Sequence, residues 1–239
     1  MNATQTTLGI GIYTPAEAAF YSKVEPKALV RWVFGNSAGK PVIERQLQDS
    51  EEKTVTFLDL VQVLAVREVR TRYLVPLQRI REGVELATTH YGLDYPLARK
   101  HDILLFGDSE TPGHQQLVIR LNGDDALPEY IQLTGKNKGN RMLGKVVEPF
   151  LKNITFDEDS QLASQYRPMT SGAAVVLLDP TRRFGEPIIE PGGYTAEALW
   201  LATNVEGSFE DAASACGVSV EEVELANRYF DTLMAMKAA

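Results

Sequence analysis

The hydrophobic period of this chain changes twice, and that change limits the folds open to it. From Thr14 to Gly92 apolar residues recur at helical spacing. From His101 to Leu133 they alternate with a period of two, and after Thr195 helical spacing returns to the end. Helix and strand side chains repeat at 3.6 and 2.0 residues. A 239-residue chain with this order is therefore expected to be α+β and mainly helical, with ample length for a sizeable core. The punctuation divides it into residues 8–92, 93–178 and 179–239.

The first part reads helix, turn, helix. Thr14 stands at an N-cap, Pro15 at the first helical position and Glu17 three residues after the cap, which is a capping box. A second start follows at Glu25-Pro26, and Gly35-Asn36 ends that helix. Leu29, Trp32 and Val33 share its apolar face, while Lys27 and Arg31 fall at i, i+4 on another. Gly39–Ile43 and Thr54–Thr56 are expected to be two short strands of a wing carrying Lys40, Arg45 and Lys53. Two longer helices, Leu58–Tyr73 and one ending at Tyr91 before Gly92, are expected to pair antiparallel or to meet a second copy of the chain.

Three short strands are read in the middle, at 101–106, 116–121 and 130–133, then a short helix at about 146–152. A strand at 154–157 and a buried run, Val175–Leu178, follow. Next come a loop rich in Gly and Pro and three helices capped by Thr195, Ser208 and Ser219. Gly217 sits in the turn between the last two, as in a helix-turn-helix.

Charge separates the parts further. The formal net charge is −8, which taken alone argues against a nucleic-acid partner. Residues 1–92 hold 11 basic and 10 acidic side chains, residues 93–155 hold 8 of each, and residues 156–239 hold 5 basic and 14 acidic. Total charge is an average over faces, so a slightly basic first part is free to meet DNA. Lys23, Lys27 and Arg31 are read as contacts to phosphates or guanine edges, with Lys40 and Arg45 reaching neighbouring phosphates. The acidic last third is the candidate for holding a protein.

Enzyme signals are weak. His90, His101 and His114 are dispersed without metal-ligand spacing. Gly107 and Gly113 frame a loop in which His114 stands where a P-loop needs Lys. Asp179 reads as the end of a buried strand, Asp157-Glu158-Asp159 as a solvated turn, and Cys216 as a small core residue. No catalytic residue, metal site or cofactor is expected. No run of about eighteen apolar residues occurs, so no membrane-spanning helix is expected. Met1–Thr7 has neither a basic nor an apolar region of a signal peptide, which predicts a cytoplasmic protein.

Tyr13–Ala19 with Val30-Arg31-Trp32 resembles the MerR-type winged helix-turn-helix start of VapB-type antitoxins from mycobacterial toxin–antitoxin systems. Phe57–Val61 and Pro76–Arg81 continue that likeness. Asp179–Ile189, Ser208–Ala213 and Gly217–Val223 are similar to a small homeodomain-like domain of unknown function. The resemblance implies neutralisation of a PIN-domain ribonuclease toxin of VapC type and autorepression at operator DNA, with a homodimer supplying two recognition helices. In the C-terminal unit Glu210, Asp211, Glu221, Glu222 and Glu224 are expected to repel phosphate, leaving it to hold toxin or build the dimer. A second reading is a stand-alone transcriptional regulator whose central β region senses a small ligand.

Overall fold

The computed structural model describes residues 9–37, 39–47, 52–100, 103–106, 116–120, 129–134, 141–143, 147–148 and 153–235. Strand β1 (Ile12–Tyr13) runs directly into helix α1 (Pro15–Ser22). The Thr14 hydroxyl accepts the Glu17 N–H at 3.2 Å, and the Glu17 carboxylate accepts the Thr14 N–H at 2.7 Å. Lys23 ends α1 in a left-handed conformation, its N–H donating to the Ala19 and Phe20 carbonyls. Helix α2 (Pro26–Phe34) then buries Leu29, Trp32 and Val33.

The expected wing takes another form. Val55–Thr56 is strand β2, but its antiparallel partner is β1, with Ile12 opposite Thr56 and Tyr13 opposite Val55. Residues 39–43 make one bridge, Gly39 to Asn36, and the Val42 N–H then donates to the Trp32 carbonyl at 2.7 Å. Val42 and Ile43 are both buried against α2. A wing strand would keep one of two successive side chains in water, and Pro41 has no N–H to offer a ladder. Burial of both side chains is favoured.

Helix α3 (Phe57–Thr71) is buried all round from Phe57 to Val66, Asp59 and Gln62 included. It is a central helix packed against α1, α2 and the turn Pro96–Ala98, as well as against helix α4 (Leu77–Tyr91). Burial pushes the Asp59 carboxyl up, opposed by hydrogen bonds from the Thr56 and Gln46 N–H groups. Gly92 stops α4 with a left-handed backbone.

Five short antiparallel strands follow: β3 (Ile103–Phe106), β4 (Gln116–Arg120), β5 (Glu129–Gln132), β6 (Arg141–Leu143) and β7 (Val147–Glu148), in the order β6-β5-β4-β3-β7. The helix expected at about 146–152 is replaced at 147–148 by a strand, because those residues pair with the open edge of β3. The remainder of that expected helix lies outside the described residues.

A second antiparallel sheet is a simple meander: β8 (Ile154–Phe156), β9 (Ala163–Ser171), β10 (Ala174–Leu178), β11 (Ile188–Glu190) and β12 (Tyr194–Thr195). The register of β9 on β10 shifts between Val176 and Leu178, beside Pro168, whose missing N–H interrupts the ladder. Helices α5 (Ala196–Glu206), α6 (Phe209–Cys216) and α7 (Val220–Met234) close the chain, capped as expected by Thr195, Ser208 and Ser219. Helix α7 lies over β9, β10 and β11. The sheet crosses position 179 without a break, with Leu177 of β10 opposite Ile188 of β11.

The two ends of the chain share one core. The Phe20 ring of α1 meets Phe230 of α7 at 5.9 Å, and Trp200 of α5 stacks on Phe230 at 5.4 Å. The buried Tyr13 hydroxyl donates to the Gly185 carbonyl at 2.7 Å, across 172 residues of sequence. Gly185 has a positive φ, and a Cβ there would collide with the Tyr13 ring. Burial raises the Tyr13 phenol far above its ordinary range. Replacing Tyr13 with Phe leaves the carbonyl without that donor; we expect a loss of about 1–2 kcal/mol. Chemical denaturation should show it as a lower midpoint at unchanged slope. No helix of the described residues is long and apolar enough to cross a membrane.

Candidate nucleic-acid interface

Helix α2 is nine residues long and sits on the core by its Leu29, Trp32 and Val33 face. Lys27 and Arg31 are exposed on the opposite side, as the i, i+4 spacing predicts. The Glu25 carboxylate accepts the Lys27 and Ala28 N–H groups at 3.2 and 2.9 Å. The start of α2 is thus already occupied by an anion, so any phosphate contact here falls to the Lys27 and Arg31 side chains.

A second basic group gathers at the other end of α2. The Arg45 guanidinium lies 4.8 Å from the Phe34 ring centroid and the Lys53 ammonium 5.7 Å from it, both within cation–π range. Lys40 is largely exposed, with its Nζ 3.9 Å from the Glu85 carboxylate, a surface pair of small energetic weight. Arg81 of α4 donates from Nε to the Lys40 and Pro41 carbonyls at 3.1 and 3.3 Å, tying this loop to α4. Between the loop, α2 and α4 is an open cavity of about 750 Å³ lined by Phe34, Arg45, Arg81, Glu44, Glu85 and Asp94, among others. Its charged lining is mixed in sign. It lies beside the N-terminal helices rather than in the β region that the ligand-sensing reading favours.

Lys23 stands apart from α2. It is half-buried at the end of α1, and its pKa is lowered by burial and by the neighbouring Arg67. Arg67 itself donates to the Ser22 carbonyl at 2.7 Å. The structure therefore brings Lys27 with Arg31 on α2, and Lys40 with Arg45 beyond its end, while Lys23 belongs to neither pair. The role of Phe34 is not visible in the sequence, because Arg45 and Lys53 reach its ring only through a loop with no periodicity.

The C-terminal acids divide into two kinds. Glu222 is buried rather than phosphate-facing. One carboxylate oxygen accepts the Ser219 N–H and hydroxyl at 2.9 and 2.8 Å, and the other accepts the Gly192 N–H at 2.7 Å. A Cβ at Gly192 would fall 2.5 Å from that oxygen, so only glycine permits the approach. Asp211 accepts the Ser208 hydroxyl at 2.7 Å at the start of α6. Glu210 and Glu224 are exposed and Glu221 half-buried.

Asp179, directly after β10, is a buried residue whose carboxylate oxygens both accept hydrogen bonds. Burial would raise its pKa. The Thr181 N–H and hydroxyl at 2.9 and 2.6 Å, the Gln165 amide at 2.9 Å and nearby Arg182 outweigh burial and hold it below its ordinary range. A depressed folded-state pKa stabilises the fold above the unfolded value of about 3.9. That contribution disappears as pH falls through the folded value. We expect Asp179→Asn to lower stability at pH 7 and to flatten the acid limb of a stability–pH curve; a limb as steep as wild type would contradict this. The Asp157 carboxylate accepts the Ser160 N–H and hydroxyl at 2.8 and 2.7 Å within its own turn. Among the described residues no group of three or more His, Cys, Asp or Glu is placed to hold a metal.

No protein-family model matches the sequence. A Mycobacterium tuberculosis protein named "Putative antitoxin VapB45" is 25% identical over 229 residues, spanning 90% of this chain and 91% of that protein. The crystal structure of Rv2018 from Mycobacterium tuberculosis has a TM-score of 0.59 at 20% identity, covering 92% of this chain and 98% of its own. That second likeness is one of fold.

Proposed function

We propose that this chain is a cytoplasmic antitoxin of VapB type. It neutralises a PIN-domain ribonuclease toxin of VapC type by direct contact and represses its own transcription by binding operator DNA. The observation that carries the reading is similarity to an antitoxin-named protein along nine-tenths of both chains. The chain's own chemistry supports the DNA half. Helix α2 would act as the recognition helix of a MerR-like unit within residues 8–92, presenting Lys27 and Arg31 to the major groove. Lys40 and Arg45 would meet flanking phosphates, and Lys23, half-buried, would add least.

Residues 93–178 serve in this reading as the frame between the two ends. Residues 179–239, the homeodomain-like part, carry the exposed acids away from DNA and hold the toxin. A homodimer supplies the second recognition helix for a two-fold operator. The reading gives the chain no catalytic residue and no cofactor. It is tested by co-expressing the full chain with a nuclease encoded beside it and purifying by a tag on the nuclease. Stoichiometric recovery of this chain is expected, and recovery of the nuclease alone would contradict the reading.

A further inference from the structure

Helix α5 is apolar on both of its faces. Ala196 and Leu199 are buried in the core and Trp200 stacks on Phe230. At 100° per residue Ala198, Leu201 and Val205 fall on the opposite side, and all three are exposed, Leu201 at 49% and Val205 at 81%. Phe209, 37% exposed, opens α6 just beyond the Gly207 turn. A helix with one solvated face normally carries polar residues there. This outward stripe is covered by nothing in the described chain.

Charge identifies what would cover it. Exposed carboxylates flank the stripe in sequence, Glu197 and Glu206 on α5 and Glu210 and Asp211 at the start of α6. Between Arg183 and Arg228 the sequence contains no Lys or Arg at all. A second copy of the same face would bring like charges together around the apolar contact, which costs several kcal/mol in a desolvated interface. A segment with an apolar stripe flanked by Lys and Arg would satisfy both parts. We infer that the outward face of α5, Leu201 and Val205 with Phe209, docks a basic amphipathic segment of a partner protein. The inference deepens the proposed function and rests on its assignment of the acidic third to protein binding.

The test uses the full chain in two variants, Leu201→Ser with Val205→Ser, and Glu197→Lys with Glu206→Lys. Both alter solvent-facing positions, so thermal unfolding and operator binding should match wild type. Affinity for the co-expressed nuclease should fall at least tenfold in each variant, since truncating a central apolar anchor commonly costs that much. Unchanged affinity in both variants overturns the α5 assignment while leaving the toxin reading intact. If wild type forms no complex with the nuclease, the toxin reading fails, and a synthetic Leu/Lys helical peptide decides the surface alone. Binding of that peptide to wild type, abolished in the serine variant and absent for a scrambled peptide of equal charge, supports the surface. Equal or absent binding of the two peptides overturns it. A dimer of this chain that the serine variant dissociates also overturns it, by making a second copy the occupant.

Discussion

Replacing Phe230 with Ala should destabilise the protein by about 3–5 kcal/mol, the usual cost of emptying a buried aromatic site. Phe230 is 8% exposed and is the point where three parts of the chain meet. It stacks on Trp200 of α5 with an interplanar angle of 14°, and it meets Phe20 of α1 and Tyr229 of α7 nearly edge-on. Each aromatic pair adds about 0.5–1.5 kcal/mol beyond area burial, so the cavity and the absence of ring stacking act in the same direction. The consequence reaches beyond α7. Helix α1 leans on Phe230 through Phe20, and α2 follows α1 after three residues. A weakened packing at Phe230 should therefore loosen the N-terminal helices and the C-terminal helices together. Denaturant unfolding should remain a single transition with a lower midpoint, and Phe230→Leu should recover part of the stability. Two separate transitions would show that the ends fold independently.

The second large effect is expected at α2. Changing Lys27 and Arg31 together to Ala should weaken operator binding by at least about 2 kcal/mol, from two side chains worth roughly 1–3 kcal/mol each at a base edge. That is about 30-fold or more in affinity. Neither residue packs in the core, so unfolding should be unaffected. A salt series separates the two modes of binding. Removing a side chain that neutralises a phosphate should reduce the slope of log affinity against log salt by about 1. Removing one that reads a base edge weakens binding with little change in slope and relaxes sequence preference. Lys23→Ala should do much less, since Lys23 lies off α2 and its ammonium is already disfavoured by burial. Undiminished binding by the double variant would remove α2 from the DNA interface.

The helix starts were legible because capping is local chemistry. Thr14, Ser208 and Ser219 each bond a backbone N–H three residues ahead, and the sequence within that window contains the whole interaction. Lys27 and Arg31 were legible for the same reason, their shared face being fixed by helical spacing. Strand β9 was not, since Ala163–Ser171 is polar and lacks a clean alternation; it is held by β8 and β10 on either side. Strands β11 and β12 were hidden among Gly and Pro, and β11 is recruited by the edge of β10. The β2 strand was visible but its partner was not, because β1 lies more than forty residues earlier. Glu222 illustrates the limit most clearly. Its capping role was readable from Ser219, while its burial depends on Gly192, thirty residues away. The division at 178/179 follows the punctuation of the sequence, whereas the hydrogen-bonded sheet continues from β10 into β11 beyond it.

A ribonuclease assay reads the proposed inhibition of the nuclease itself. A purified PIN-domain nuclease of VapC type, the proposed partner, is given an RNA substrate, alone and with increasing amounts of the full protein. Cleavage should fall linearly and stop near a fixed stoichiometric ratio, and the Leu201→Ser, Val205→Ser variant should require a large excess for the same effect. Cleavage that continues at the same rate with saturating wild-type protein would show that this chain does not inhibit the nuclease.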